Sequence, residues 1–157
     1  MDFLMMVFIF SSFMAGMSFL LAAAYSDWKD YRIPNKMVLL LAVTGIFVTY
    51  IIAPLIGGTA AVIMKLMNTA VFLVPFLILK KLGATNYGDI KLYLAVCLFL
   101  PNAESVVYLV MGFVAQMVVL IPVVYLIKKS YLIKEFPHAL LFPVPTAAAY
   151  LLWLSSL

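Results

Sequence analysis

Residues 3–35 read FLMMVFIFSSFMAGMSFLLAAAYSDWKDYRIPN, and the change of character at Asp27 decides how the chain is read. Phe3 to Tyr25 carries no charged side chain. At ~1.5 Å rise per residue, such a stretch is long enough to cross the ~30 Å hydrocarbon core of a bilayer as a helix. Asp27, Lys29, Asp30 and Arg32 then follow within a few positions, and Pro34 interrupts helical continuation. A carboxylate at the very edge of hydrocarbon is costly, so Asp27 is a candidate for function rather than packing.

The same alternation runs through the whole chain. Of 157 residues, 68% are hydrophobic and only 10% are charged, with a mean hydropathy of +1.20. A soluble domain carries roughly a quarter charged residues. Further apolar stretches span about 37–56, 60–79, 105–127 and 139–157. Residues 90–100 are apolar but too short to cross alone, and end at Pro101. The expected fold is therefore all-α: a single domain over 1–157, a polytopic integral membrane protein of about six transmembrane helices with its N-terminus outside. Five spans plus a re-entrant segment is the alternative count.

Charge placement favours six. Lys29, Arg32 and Lys36 fall in the first loop, Lys80, Lys81 and Lys91 around the third, and Lys128, Lys129 and Lys134 in the fifth. The second and fourth loops carry no Lys or Arg. Six spans put nine of the ten basic residues on one side, which the positive-inside rule assigns to the cytoplasm. Lys65, inside the third span, is the exception and is expected to snorkel to the interface, with a charge partner inside the bundle as the alternative. The Ala22-Ala23-Ala24 stretch has the look of a signal-peptide cleavage site, but the positive charges follow the helix instead of preceding it, so a retained helix is expected. The localisation this implies is multi-pass, in the cytoplasmic (inner) membrane, with the lipid bilayer as surroundings.

The net charge of +4 invites a nucleic-acid reading, but the basic residues are scattered and form no stripe. Cys97 is the only cysteine, so no disulfide or CxxC metal site forms within one chain, and it reads as a buried hydrophobe. There is no Ser-His-Asp set and no Gly-rich phosphate loop.

What remains is a second isolated acid. Asp89 opens the short apolar stretch in Gly83-Ala84-Thr85-Asn86-Tyr87-Gly88-Asp89-Ile90-Lys91-Leu92. In the six-span topology a hairpin of two spans returns the chain to the side that carries Asp27, so the two carboxyls are free to meet. Asp27 is expected just past the end of its helix and Asp89 at a helix N-terminus, where it has the simpler alternative of capping the helix. Two carboxyls that share one proton supply an acid and a base in one site. That is the requirement for aspartyl proteolysis, in which one carboxylate deprotonates water while the other, protonated, polarises the scissile carbonyl.

The segment Asp27-x5-Ile33-Pro34-Asn35 resembles the first catalytic segment of the type IV prepilin peptidases. The Asn86-Tyr87-Gly88-Asp89-Ile90-Lys91 segment resembles their GxGD-x-K segment, with Asn86 in place of the first glycine. The stretch Phe142-Pro143-Val144-Pro145-Thr146 is similar to their proline-containing last helix. Order, spacing and layout match over nearly the whole chain. The cysteine-bearing insert of the long bifunctional members has no counterpart, so the resemblance is to short, peptidase-only members.

The resemblance implies a membrane aspartic endopeptidase that removes the basic leader of prepilin-like precursors at the cytoplasmic face. It implies catalytic Asp27 and Asp89 and no metal or organic cofactor. It also implies that Gly88 lets backbone approach the substrate, that Lys91 pairs with a carboxylate or orients the loop, and that Asn86 and Pro34 shape the two segments. Asp30 matches no catalytic position and reads as a solvated loop acid; His138 reads as interfacial. Competing readings are a small proton-coupled transporter, which needs a carboxylate on a path open from both sides, and an inactive scaffold, to which the Asn86 departure points.

Overall fold

The computed structural model describes residues 3–30, 32–53, 57–81, 86–128 and 138–156. Among these residues there are six α-helices and no strand: α1 Phe3–Asp30, α2 Asn35–Ile52, α3 Gly58–Lys81, α4 Tyr87–Phe99, α5 Ala103–Lys128 and α6 Pro143–Ser155. A 3-10 turn at His138–Leu141 precedes α6. By length and composition α1, α2 and the Gly58–Ile78 part of α3 are sufficient to cross a membrane, and Ala103–Gln116 and Ala139–Ser155 are shorter apolar helical stretches. All-helical architecture is thus as expected from the sequence. The fifth-loop residues Lys129 and Lys134, and Gly83 to Thr85 of the second segment, lie outside the described residues.

Two boundaries differ from expectation. The first helix does not stop before Asp27 but runs on to Asp30. At 28 residues it is about 42 Å long, more than the ~30 Å hydrocarbon thickness, and Asp27 stays in helical register in its final turn. The last apolar stretch is not one helix but the 3-10 turn followed by the 13-residue α6. Pro143 lacks an N–H to continue a helix from upstream and is pre-shaped to begin one, so the axis restarts there.

Large apolar side chains are exposed along α1, α2, α3 and α5, Phe10, Leu39, Phe47 and Met67 among them. In water so large an apolar surface would aggregate; facing lipid it is solvated. The interior is different. The short α4 is the hub, with Ile90, Leu92, Tyr93, Ala95, Val96, Cys97 and Phe99 all buried, which confirms Cys97 as a core residue. Aromatic contacts hold it on several sides. Tyr93 stacks on Phe76 of α3 at 4.5 Å between ring centroids, and Phe99 on Tyr150 of α6 at 5.4 Å. Gly45 of α2 allows close approach: a Cβ there would lie 2.5 Å from the Leu98 carbonyl carbon.

Lys65 does not snorkel. It is 1% exposed, and its ammonium donates to Thr49 Oγ1 at 2.7 Å and to the Leu98 carbonyl at 2.8 Å. A helix of 13 residues is about 20 Å long, too short to cross a bilayer alone, and its last carbonyls lack intrahelical partners. Lys65 meets one of them, so the interior of the bundle, not the interface, is its lowest-energy position.

Candidate functional site

The site begins with local structure on either side of a cavity of about 310 Å³. From the first segment Asp27, Arg32, Ile33 and Asn35 line it; from the second, Asn86, Gly88, Asp89 and Lys91 do. Two stretches more than fifty residues apart in the chain therefore face each other across one space. Their contact is direct, since a Cβ on Gly88 would stand 3.6 Å from Ile33 Cδ1.

Asp27 is held in the final turn of α1 and is 6% exposed. Its Oδ2 accepts the Ala139 backbone N–H at 3.0 Å, which ties the end of α1 to the 3-10 turn before α6. Ser26 donates to the Arg32 carbonyl at 2.9 Å, closing the first loop back on the helix end. Pro34 does not line the cavity. It occupies the N-cap position of α2 in extended backbone, and its carbonyl accepts the Met37 and Val38 N–H groups. It turns the chain so that Ile33 and Asn35 point at the space.

Asp89 is 5% exposed and is not the cap of α4 but its third residue. The cap is Asn86, and the two form a reciprocal capping box in which the Asn86 N–H donates to Asp89 Oδ2 at 2.8 Å. Asn86 lies at φ −107°, ψ 166°, in extended backbone. The position does not need a glycine's left-handed conformation, and asparagine is among the best N-cap residues. The departure at Asn86 is thus compatible with a well-formed helix start. Asn86→Leu is expected to lower stability by about 1 kcal/mol through loss of the cap, whereas Asn86→Gly costs only a few tenths. Thermal unfolding in detergent would rank the two, and equal midpoints would deny the box its role.

Gly88 has room for a methyl group, because the nearest atoms to an added Cβ are those of Ile33 at ordinary contact distance. The fold does not demand glycine there. Gly88→Ala is expected to leave the unfolding temperature unchanged while narrowing the cavity, and a large fall in that temperature would show the position to be structural instead.

Arg32 and Lys91 bring two positive charges to the rim, against the two carboxylates. Sequence reasoning treated Arg32 as a loop charge and did not single out Ala139 at all. Arg32 had a usable signal in its place between Asp27 and Asn35. Ala139 had none, since it acts through backbone N–H. Asp30, by contrast, is exposed and stands outside the lining. The side chain of His138 lies outside what is described.

The fold and site together define an all-helical bundle with a large exposed apolar surface and two buried carboxyls on one cavity. The sequence model of the type IV leader peptidase family matches residues 14–123, a stretch that holds both cavity-lining segments, and the chain belongs to that family. No curated protein and no solved structure matches it.

Proposed function

We propose that the protein is a membrane aspartic endopeptidase that cleaves the basic leader from prepilin-like precursors at the cytoplasmic face of the inner membrane. The observation that carries this reading is that Asp27 and Asp89, from separate helices, line the same cavity of about 310 Å³. In this reading the two carboxyls share one proton. The ionised one removes a proton from water as its oxygen attacks the scissile carbonyl carbon. The protonated one donates its proton to the carbonyl oxygen. Collapse of the tetrahedral adduct breaks the C–N bond: the first carboxyl returns its proton to the departing amine, and one adduct hydroxyl gives its proton back to the second carboxylate.

The positive-inside count supports a cytoplasmic position for the cavity end of the bundle, and the substrate's apolar helix would lie against the exposed apolar faces of the bundle. The family membership supports the leader-peptidase part of the proposal. Against a transporter, α4 beyond Asp89 is closely packed: Leu92, Tyr93, Val96 and Cys97 are at most 1% exposed, so among the described residues these positions line no open channel.

The test is co-expression with a panel of prepilins, followed by N-terminal sequencing of the products. Removal of a leader on the cytoplasmic side of the apolar helix supports the proposal. Failure to process any of them would move the chain to the scaffold reading.

A further inference from the structure

Lys65 lies at the opposite end of α4 from the aspartate cavity, yet it is tied to that helix. Its two donated bonds go to Thr49 Oγ1 and the Leu98 carbonyl, and Thr49 Oγ1 donates to the same carbonyl at 3.1 Å. Leu98 is in the last turn of α4, where carbonyls have no intrahelical partner and a cation complements the negative end of the helix dipole. A buried lysine in a membrane bundle is expensive, so it needs a stronger reason than space filling.

The other restraints on α4 act sideways. Asp89, Tyr93 and Cys97 recur every four residues along one face. On that face Tyr93 stacks on Phe76, and its hydroxyl donates to the Thr69 carbonyl at 3.4 Å. These contacts set the rotation of the helix about its axis. They resist sliding along it only weakly, because a stacked ring can shift by a fraction of an ångström at little cost. Along the axis, α4 is held at the Leu98 carbonyl, where the bond from Lys65 on α3 is the shorter of the two donated side-chain bonds and the other comes from Thr49 on α2.

We infer that Lys65 is a positioning residue: by clamping the Leu98 carbonyl it sets the height of α4 in the bundle, and so the place of the Asp89 carboxyl in the cavity it shares with Asp27. The consequence for catalysis rests on the proposed aspartyl reaction; the clamp itself does not. A displacement of about 1 Å at a catalytic group costs up to 100-fold in rate.

Two readouts separate these layers. The first needs no activity. A Cβ on Gly88 would stand 3.7 Å from Ile33 Cβ, within the ~3.5–4.5 Å span of a disulfide, so Ile33→Cys with Gly88→Cys gives a pair whose rate of oxidation reports the height of α4. Cys97 is fully buried and stays out of that reaction. In membranes, Lys65→Met is expected to slow cross-linking about tenfold, by the same displacement argument. Lys65→Arg is expected to restore most of it, because a cavity of about 970 Å³ beside Lys65 has room for the larger head. Gly112→Ala, whose Cβ would press on Pro145 Cβ at 2.8 Å, loosens α5 against α6 and is expected to leave the rate alone.

The second readout is prepilin cleavage by the otherwise wild-type chain, where Lys65→Met is expected to lower kcat about 10- to 100-fold with KM within about twofold. Unchanged cross-linking in Lys65→Met overturns the inference, and so does equal slowing in Gly112→Ala, which would mean general loosening. A Lys65-dependent cross-link in a chain whose wild type cleaves no prepilin supports the clamp and sinks the peptidase reading instead.

Discussion

Asp27→Asn and Asp89→Asn are each expected to abolish leader cleavage, by about 10³-fold or more, while Asp30→Asn keeps it near the wild-type rate. The asparagines preserve shape, and each keeps an oxygen for the backbone N–H described at its position. Asp27 Oδ2 accepts the Ala139 N–H, and an amide oxygen does the same. Asp89 Oδ2 accepts the Asn86 N–H, and an amide oxygen again suffices. What an amide lacks is the proton to give and the charge to take one, so the loss falls on chemistry. Asp30 is exposed at the end of α1 and outside the cavity lining, which makes it the matched control three residues away. The assay is the fraction of a co-expressed prepilin that loses its leader, read beside the thermal midpoint of each variant in detergent. Cleavage retained in either of the first two variants removes that aspartate from the dyad. A collapsed midpoint would instead reassign it to structure.

The second large effect is expected from Gly45→Ala. A methyl group there would meet the Phe99 backbone nitrogen and stand 2.5 Å from the Leu98 carbonyl carbon. Both are main-chain atoms of α4, so no rotamer change relieves the overlap and the two helices must part. Overpacking of this kind costs typically 1–3 kcal/mol and more where backbone must move. The damage would not stay local. The same turn of α4 holds the carbonyl bonded by Lys65 and Thr49, so separating α2 from α4 breaks the Thr49 bond and disturbs the carbonyl that Lys65 holds from α3. Gly45→Ala is thus expected to lower both the unfolding temperature and the cleavage rate. Gly58→Ala is its contrast: an added Cβ has open space, and the cost is confined to backbone strain at φ +69°. If Gly45→Ala unfolded at the wild-type temperature, the close α2–α4 approach would be wrong.

Asp27 and Asp89 were legible because charge is rare in this chain and both stand at the ends of apolar stretches. That they line one cavity was not legible, since sequence order puts them on the same side and says nothing of lateral distance. Asn86 looked like a flaw when set against a glycine pattern. In three dimensions it is the cap of α4, and its extended backbone removes the need for glycine. Lys65 was misjudged because hydropathy sees a charge in a span and not the unpaired carbonyl of a neighbouring helix. Ala139 was invisible, as its contribution is a backbone N–H positioned by a 3-10 turn that forms where Pro143 forces α6 to restart.

By itself the sequence determined the solvent and the alphabet of this protein. Long uncharged stretches have one low-energy form in hydrocarbon, the helix, because every backbone group must be satisfied within its own segment. Rarity of charge then marked which few side chains were candidates for chemistry. The tertiary structure alone decided how α4 sits among its neighbours, which carbonyl the buried lysine meets, and that two carboxylates face a common space. Those are matters of packing between segments distant in the chain, where Gly45, Phe99 and Tyr93 act through shape, and shape complementarity between helices has no signature in local sequence.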